Sequence, residues 1–399
     1  MSWAKEYMAK IEEQGFECTV EKFVCHNCVD DYALKLFIED NAEQCKCDYC
    51  GQQSDEEISV HIEKLLHVIM DGIKTEWGDP NNEGVGWDGR EGGWQGAKVI
   101  DTYDLICDEL SDELGIENED LKRDIYSSIS DQQWCQISPY LLREYEENYV
   151  TWELFCQQVK HETRYVFFHI EDNPNRYGII YSQPSQILET IGQSIITLGL
   201  INSKAVSYRF YRGRTHNDST GFSKVEELAS PPREFSIYSN RMSPAGIPMF
   251  YGATDEATAI EEIRDDKKYV TVGIFENLKN LNLLDLSKHI QFPSLFDEEK
   301  RHLRNAVIFI RNLVYDLSMP VTKNNIEHIE YVPTQIVTEF FRRVFTMENG
   351  EKIHGILYPS ARVSGGVCCV LFIENEDCTQ DPNDTDKMLN LSTLNTSQL

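Results

Sequence analysis

Residues 240–263, NRMSPAGIPMFYGATDEATAIEEI, put Tyr251 in a short apolar run, turn at Gly252 and carry Glu261 and Glu262 on the segment that follows. On a helix beginning near Asp255, the residues Ala259, Ile260 and Ile263 make the buried face. Glu261 then points away from that face and Glu262 lies at its border, where a carboxylate can reach a crevice between elements. Two further stretches could supply the other side of such a crevice. In YRFYRGR (208–214) Arg212 directly follows Phe210 and Tyr211, and an arginine buried among aromatics calls for an anionic partner. Strand alternation puts Arg214 on the same face as Arg212, while Arg209 and Arg241 compete for the same role. In YPSARVSGG, Ser360 ends a strand before a small-residue turn, which frees its hydroxyl to contact a ligand. Taken singly, each has a commoner explanation: a solvated helix flank, a surface ion pair, a turn serine.

A second constellation is metallic. Cys25 and Cys28 in CHNC and Cys47 and Cys50 in CDYC form two CxxC pairs separated by eighteen residues, the spacing of a four-cysteine zinc site. Thiolates three positions apart chelate one ion from one tight turn, and two such turns close a tetrahedron that staples a segment too short to build its own core. Cys45 or His26 could replace one ligand. The site reads as closed and structural. Arg164 and His169 form an R-x4-H pair, a spacing used by HEPN ribonucleases, but two common residues in an aromatic run carry little weight.

The elements that position these residues follow from periodicity. Residues 1–54 form the cysteine element, with a helix over 30–44. From 55 to 183 the chain is mainly helical: a helix over 56–73, a Gly/Trp-rich loop WGDPNNEGVGWDGREGGWQG, and acidic helical segments to a break at EDNPNRYG (171–178). Residues 184–378 alternate short strands with helical stretches and read as an α+β domain. The polar stretch 379–399 is expected to be a disordered tail.

The chain has 399 residues, 41% of them hydrophobic, and a formal net charge of −30. That charge disfavours a broad basic face for a phosphate backbone, so nucleic acid is not an expected partner. No apolar run approaches the ~20 residues that span a bilayer, and the N-terminus lacks a secretory apolar segment, so no membrane is expected and the location is read as cytoplasmic. Twelve cysteines in that compartment point to metal binding or burial. The glycine fingerprint of a Rossmann turn, a P-loop, an HExxH helix and a GxSxG elbow are all absent.

Taken in order, the aromatic–arginine strand, the loop R-x-x-P-x-G-x-P-x-x-Y continuing as Y-x-A-x(5)-A-x-x-E, and the late Y-P-S resemble the RES domain over about residues 205 to 375. The CHNC and CDYC pairs with the EGGW loop resemble the HEPN/RES-type N-terminal region found before some RES domains. The resemblance implies an ADP-ribosyltransferase-like α+β fold preceded by a mainly α-helical region with a small zinc element. It implies NAD+ as substrate, with cleavage of the nicotinamide–ribose bond by a glycohydrolase or a phosphorylase that uses inorganic phosphate, in a toxin or defence effector. Arg212, Glu262, Ser360 and Tyr251 take the catalytic positions, and Tyr211, Arg214 and Arg241 the substrate-binding ones. Glu262 would stabilise the ribosyl cation, Arg212 hold pyrophosphate or phosphate, Tyr251 pack on the nicotinamide side, and Ser360 donate to ribose or phosphate. Where many relatives carry Gly-Gly-Arg-Trp, this chain reads Ser239, Asn240, Arg241, Met242. An antitoxin or immunity protein is the partner that the resemblance suggests, and a homo-oligomer stays open. The alternatives are a mono-ADP-ribosyltransferase and a non-catalytic nucleotide-binding or interaction module.

Overall fold

In a computed structural model, described over residues 3–169, 183–319 and 326–399, the chain forms two compact units. One comprises Met1–Arg143 with Gln291–Asn305, the other Glu144–Ile290 with Ala306–Leu399. The division therefore falls at Arg143 rather than at residue 183, and a segment from deep in the second half completes the first unit. The expected break at 171–178 lies outside the described residues.

The first unit is built around the helix Ile62–Glu76, which buries Ile62, Leu65, Leu66, Ile69, Met70 and Ile73 at helical spacing. Its start is later than periodicity suggests, because Ser59–His61 are taken as a strand that pairs antiparallel with Phe23–Cys25. His61 Nδ1 then accepts from the Glu63 amide and caps the helix. Phe296 from the returning segment packs on Gly72, where a Cβ would stand 2.7 Å from its ring. That segment is held by Arg304, whose Nε donates to Glu76 at 3.0 Å, Nη2 to Glu113 at 2.9 Å and Nη1 to the Pro293 carbonyl at 2.9 Å, with the guanidinium over the Phe292 ring. The Gly/Trp-rich stretch is not plain loop: Gly86–Asp88 and Gly93–Gln95 pair as a hairpin, with Trp87 edge-on to Trp94.

The second unit carries a nine-stranded sheet among the described residues. We number its strands β1 (Ile201–Lys204), β2 (Arg209–His216), β3 (Phe250–Ala253), β4 (Tyr269–Asn277), β5 (Leu281–Asp285), β6 (Gly355–Pro359), β7 (Val367–Leu371), β8 (Cys378–Thr379) and β9 (Leu389–Gln398). Their order is β8-β9-β4-β2-β3-β7-β6-β5-β1, with only β5–β6 and β8–β9 parallel. Helices Glu144–Gln157, Ile187–Thr197 and Val332–Glu339 cover one face, whose core takes in Phe155, Ile191, Leu284, Ile356 and Val370. The other face buries Phe210, Phe250, Phe275, Leu357, Cys369 and Leu371.

Two features of this sheet were not expected. The chain end is no disordered tail: β9 pairs with β4 from Asn277↔Leu389 to Tyr269↔Gln398. Leu389 and Leu391 anchor it in the core and the remainder is polar because it is exposed, which is why composition misreads it. Secondly, β2 and β3 pair at Tyr211↔Ala253 alone. The sheet thus has a seam that opens toward Arg214 on one side and Phe250 on the other.

Candidate active site

The helix Glu256–Ile263 links β3 to β4. Asp255 caps it, accepting from the Thr258 amide at 2.8 Å. Two glycines let the helix lie close on the sheet: a Cβ at Gly213 would meet Ile263 at 2.5 Å, and one at Gly366 would meet Thr258 Oγ1 at 2.6 Å. Glu261 turns outward and pairs with Arg264 at 2.7 Å. Glu262 is turned to the end of β6, where the Ser360 hydroxyl donates to Glu262 Oε1 at 2.5 Å.

Ser360 is not a free turn hydroxyl. Its oxygen also accepts from the amides of Arg362 at 3.1 Å and Val363 at 2.9 Å, and its own amide donates to the Gly366 carbonyl. Arg362 reaches back to the Glu261 carbonyl at 2.8 Å, so turn and helix are tied twice. Beneath this contact lie Cys368 and Tyr358, facing one another across β7 and β6. Burial, then the Glu262 charge, pushes the Cys368 thiol well up, and burial does the same to Tyr358. Tyr251 on β3 shares their face; its hydroxyl meets Ser243 Oγ at 2.9 Å, and burial raises it to about 12. Ser243 is held in its turn by Gln335, whose Nε2 donates to Ser239 Oγ, the Asn240 carbonyl and the Ser243 carbonyl. Nothing in the sequence marks Ser243, Gln335 or Cys368, because Gln335 meets Ser243, and Cys368 meets Glu262, only in the folded chain.

Arg212 is placed differently from the expectation of one shared cleft. With Phe210 it faces the opposite side of the sheet, where its guanidinium lies 5.4 Å from the Phe250 ring centroid. Its Nε donates to the Leu228 carbonyl at 2.7 Å and its Nη1 to the Tyr251 carbonyl, which the missing β2–β3 pairing leaves available. Burial, helped by Arg214, lowers its pKa to about 10, so it remains a cation at neutral pH. Its partners are backbone dipoles instead of a carboxylate. Arg214, on the same face, makes no hydrogen bond or ion pair among the described residues; burial lowers its pKa against the attraction of Glu227. Tyr211 is half-buried on the Glu262 face beside Ala253. Arg209 pairs with Glu276. Arg241 donates to the Leu317 carbonyl at 2.9 Å, so it anchors the loop before β3. Arg164 donates to the Val159 carbonyl, and the side chain of His169 lies outside the described residues. Cavities of about 630 and 740 Å³ lie elsewhere in this unit and neither is lined by Glu262, Ser360, Tyr251 or Arg212. The half-buried carboxylate–hydroxyl contact is the better guide to chemistry, since volume alone places no reactive group.

In the first unit the thiols of Cys25, Cys28, Cys47 and Cys50 all lie within 4.8 Å of one another. Adjacent pairs stand 3.9 Å (Cys25–Cys28), 3.5 Å (Cys25–Cys50) and 3.6 Å (Cys28–Cys47) apart. A tetrahedral ion with metal–sulfur bonds of about 2.3 Å needs sulfur–sulfur edges of about 3.8 Å, so the set fits a metal. Donation from Cys28 and backbone amides holds Cys47 at about 4, while burial raises Cys25 to about 12 and the Cys47 thiolate drives Cys28 higher still. The expected substitutes stand aside: Cys45 is exposed and His26 faces Glu39 at 3.8 Å.

Residues 40–173 match the family model of the HEPN/RES N-terminal domain 1, and residues 209–392 match that of the RES domain. The RES match takes in β2 through β8 and only the first residues of β9, up to Ser392, and suggests an enzyme that uses NAD. No curated protein and no solved structure matches the chain. Among the described residues no helix is long and apolar enough to cross a membrane.

Proposed function

We propose that this chain, a RES domain protein with a HEPN/RES N-terminal region, cleaves the nicotinamide–ribose bond of NAD+. The observation that carries the reading is the Ser360–Glu262 hydrogen bond at 2.5 Å, which fixes one carboxylate oxygen at the end of β6. Breaking the bond sends its electron pair to nicotinamide, which departs neutral, and leaves positive charge on the ribose carbon and ring oxygen. A prepositioned carboxylate stabilises that cation, and more strongly where water is excluded. Water adding to the cation gives ADP-ribose and a proton; inorganic phosphate adding there gives the 1-phosphate.

The dinucleotide would lie along the seam between β2 and β3. Arg214, without a partner among the described residues, is the first choice for the pyrophosphate, as a guanidinium holds two phosphate oxygens at once. Arg212 keeps three N–H groups after serving Leu228 and Tyr251 and adds to the same positive field. Tyr251 and Tyr211 offer aromatic faces on the Glu262 side. Cys25, Cys28, Cys47 and Cys50 hold a structural zinc, which when bound staples the first unit and supplies no step of the reaction.

Nicotinamide release by the full chain, with and without phosphate, tests the reading. Release that requires the Glu262 carboxylate supports it, and phosphate-dependent formation of the ribose 1-phosphate identifies a phosphorylase. NAD left intact in both conditions, beside saturable NAD binding, would replace it with a nucleotide-binding module.

A further inference from the structure

Ser243 and Tyr251 share one hydrogen bond at 2.9 Å, and their surroundings decide which hydroxyl supplies its proton. Ser243 is 1% exposed, and its oxygen accepts from Asn240 Nδ2 at 3.5 Å. Among the described residues the Ser243 hydroxyl has no acceptor other than the Tyr251 oxygen. A buried hydroxyl proton without an acceptor is costly, so Ser243 donates and Tyr251 accepts. Tyr251 is only half-buried, and its own proton then meets no acceptor among the described residues. The turn that carries Ser243 is pinned from several sides. Gln335, on the helix Val332–Glu339 and itself 7% exposed, donates through Nε2 to Ser239 Oγ and to the Asn240 carbonyl at 2.7 Å each. The Asn240 amide closes the turn on the Ser243 carbonyl at 2.8 Å, Arg241 holds the Leu317 carbonyl, and Met242 is buried. A turn held at every residue keeps one hydroxyl aimed at one phenol.

We propose that Ser243 is a positioning residue for Tyr251: by donating to the phenol oxygen it reserves the phenol proton for an acceptor oxygen of the bound dinucleotide. Gln335 is the second positioning residue, since it fixes the turn from which Ser243 reaches Tyr251. The inference rests on the reading that NAD+ binds on the Glu262 side of the sheet, and deepens it by making Tyr251 a donor as well as an aromatic face. Neither Ser243 nor Gln335 touches the ligand. Each acts by narrowing the directions in which one O–H can point.

A double-mutant cycle on the full chain tests the inference, read as kcat/KM for nicotinamide release from NAD+. Tyr251→Phe removes the donor and should lower kcat/KM by about 10-fold or more. Ser243→Ala should lower it by about 5- to 10-fold, and Ser243→Cys, which keeps the shape and donates weakly, should fall between Ser243→Ala and the wild type. In the Tyr251→Phe background Ser243→Ala should have no further effect, because its whole influence passes through the phenol proton. Gln335→Leu should behave as Ser243→Ala does, in both backgrounds. Thermal unfolding of each variant confirms that it is folded at the assay temperature. If the wild type binds NAD+ without cleaving it, the same cycle is read on NAD+ affinity by calorimetry. Losses that multiply instead of merging, or a Ser243→Ala variant as active as the wild type, overturn the inference and leave the cleavage reading standing. A wild type that neither cleaves nor binds NAD+ removes both.

Discussion

Ser360 gives its hydroxyl proton to Glu262 at 2.5 Å while the amides of Arg362 and Val363 donate to the same oxygen. The serine is therefore saturated by the protein: it has one proton to give and two acceptor sites, and all three are used. Its first task is to orient the carboxylate, and contact with ribose or phosphate would require that hydrogen bond to break.

Glu262→Gln removes the charge and keeps the shape. NAD cleavage should fall by about 10³-fold, the usual loss when one electrostatic stabiliser of a transition state is removed. Ser360→Ala should act less, about 10- to 100-fold, since the carboxylate stays and only its aim is lost. Nicotinamide release against time gives both numbers. A Ser360→Ala loss as large as that of Glu262→Gln would mean that the hydroxyl takes part directly.

Metal analysis of the purified chain should return one zinc per molecule, and Cys47→Ser should lower that content and the melting temperature together. Removal of a structural metal withdraws its binding free energy from the fold. A full-length chain without metal but with unchanged melting would remove the zinc from the account.

Arg304 is buried, with Glu76 and Glu113 as its carboxylate partners. Arg304→Ala leaves Glu113 without its cation and Glu76 with Arg143 alone, a loss of about 3–5 kcal/mol for a fully buried pair and nearer 2–3 here, because the glutamates keep some contact with solvent. Urea unfolding measures it, and Arg304→Met should cost as much, which separates lost charge from lost volume. The same segment makes a cut at residue 183 a poor way to isolate the RES region, since residues 291–305 would lose their packing partners.

A chain ending at Met388 loses β9 and exposes the edge of β4. An uncovered, largely apolar edge strand templates association. The shortened protein should aggregate on expression, and amides of Tyr269–Asn277 should exchange faster in any soluble fraction. Unchanged solubility and exchange would show that β9 is dispensable.

The α+β class, the cysteine tetrad, the strand–helix passage from Tyr251 to Glu262 and the two family regions were legible in the sequence, because each rests on short-range spacing. CxxC pairs and a 3.6-residue period survive without knowledge of the rest of the chain. The helix at Asp255 and the outward turn of Glu261 follow from the same local geometry. The polar end of the chain shows where such reading stops: β9 is a strand because β4 offers it an edge, a fact about a partner more than a hundred residues away. What tertiary structure alone decided is which face each group serves. Arg212 and Glu262 sit on opposite sides of one sheet, Ser360 spends its proton on Glu262, and Gln335 reaches across to hold Ser243. A side chain's direction is fixed by strand parity once register is known, and register is set by long-range pairing that no local spacing contains.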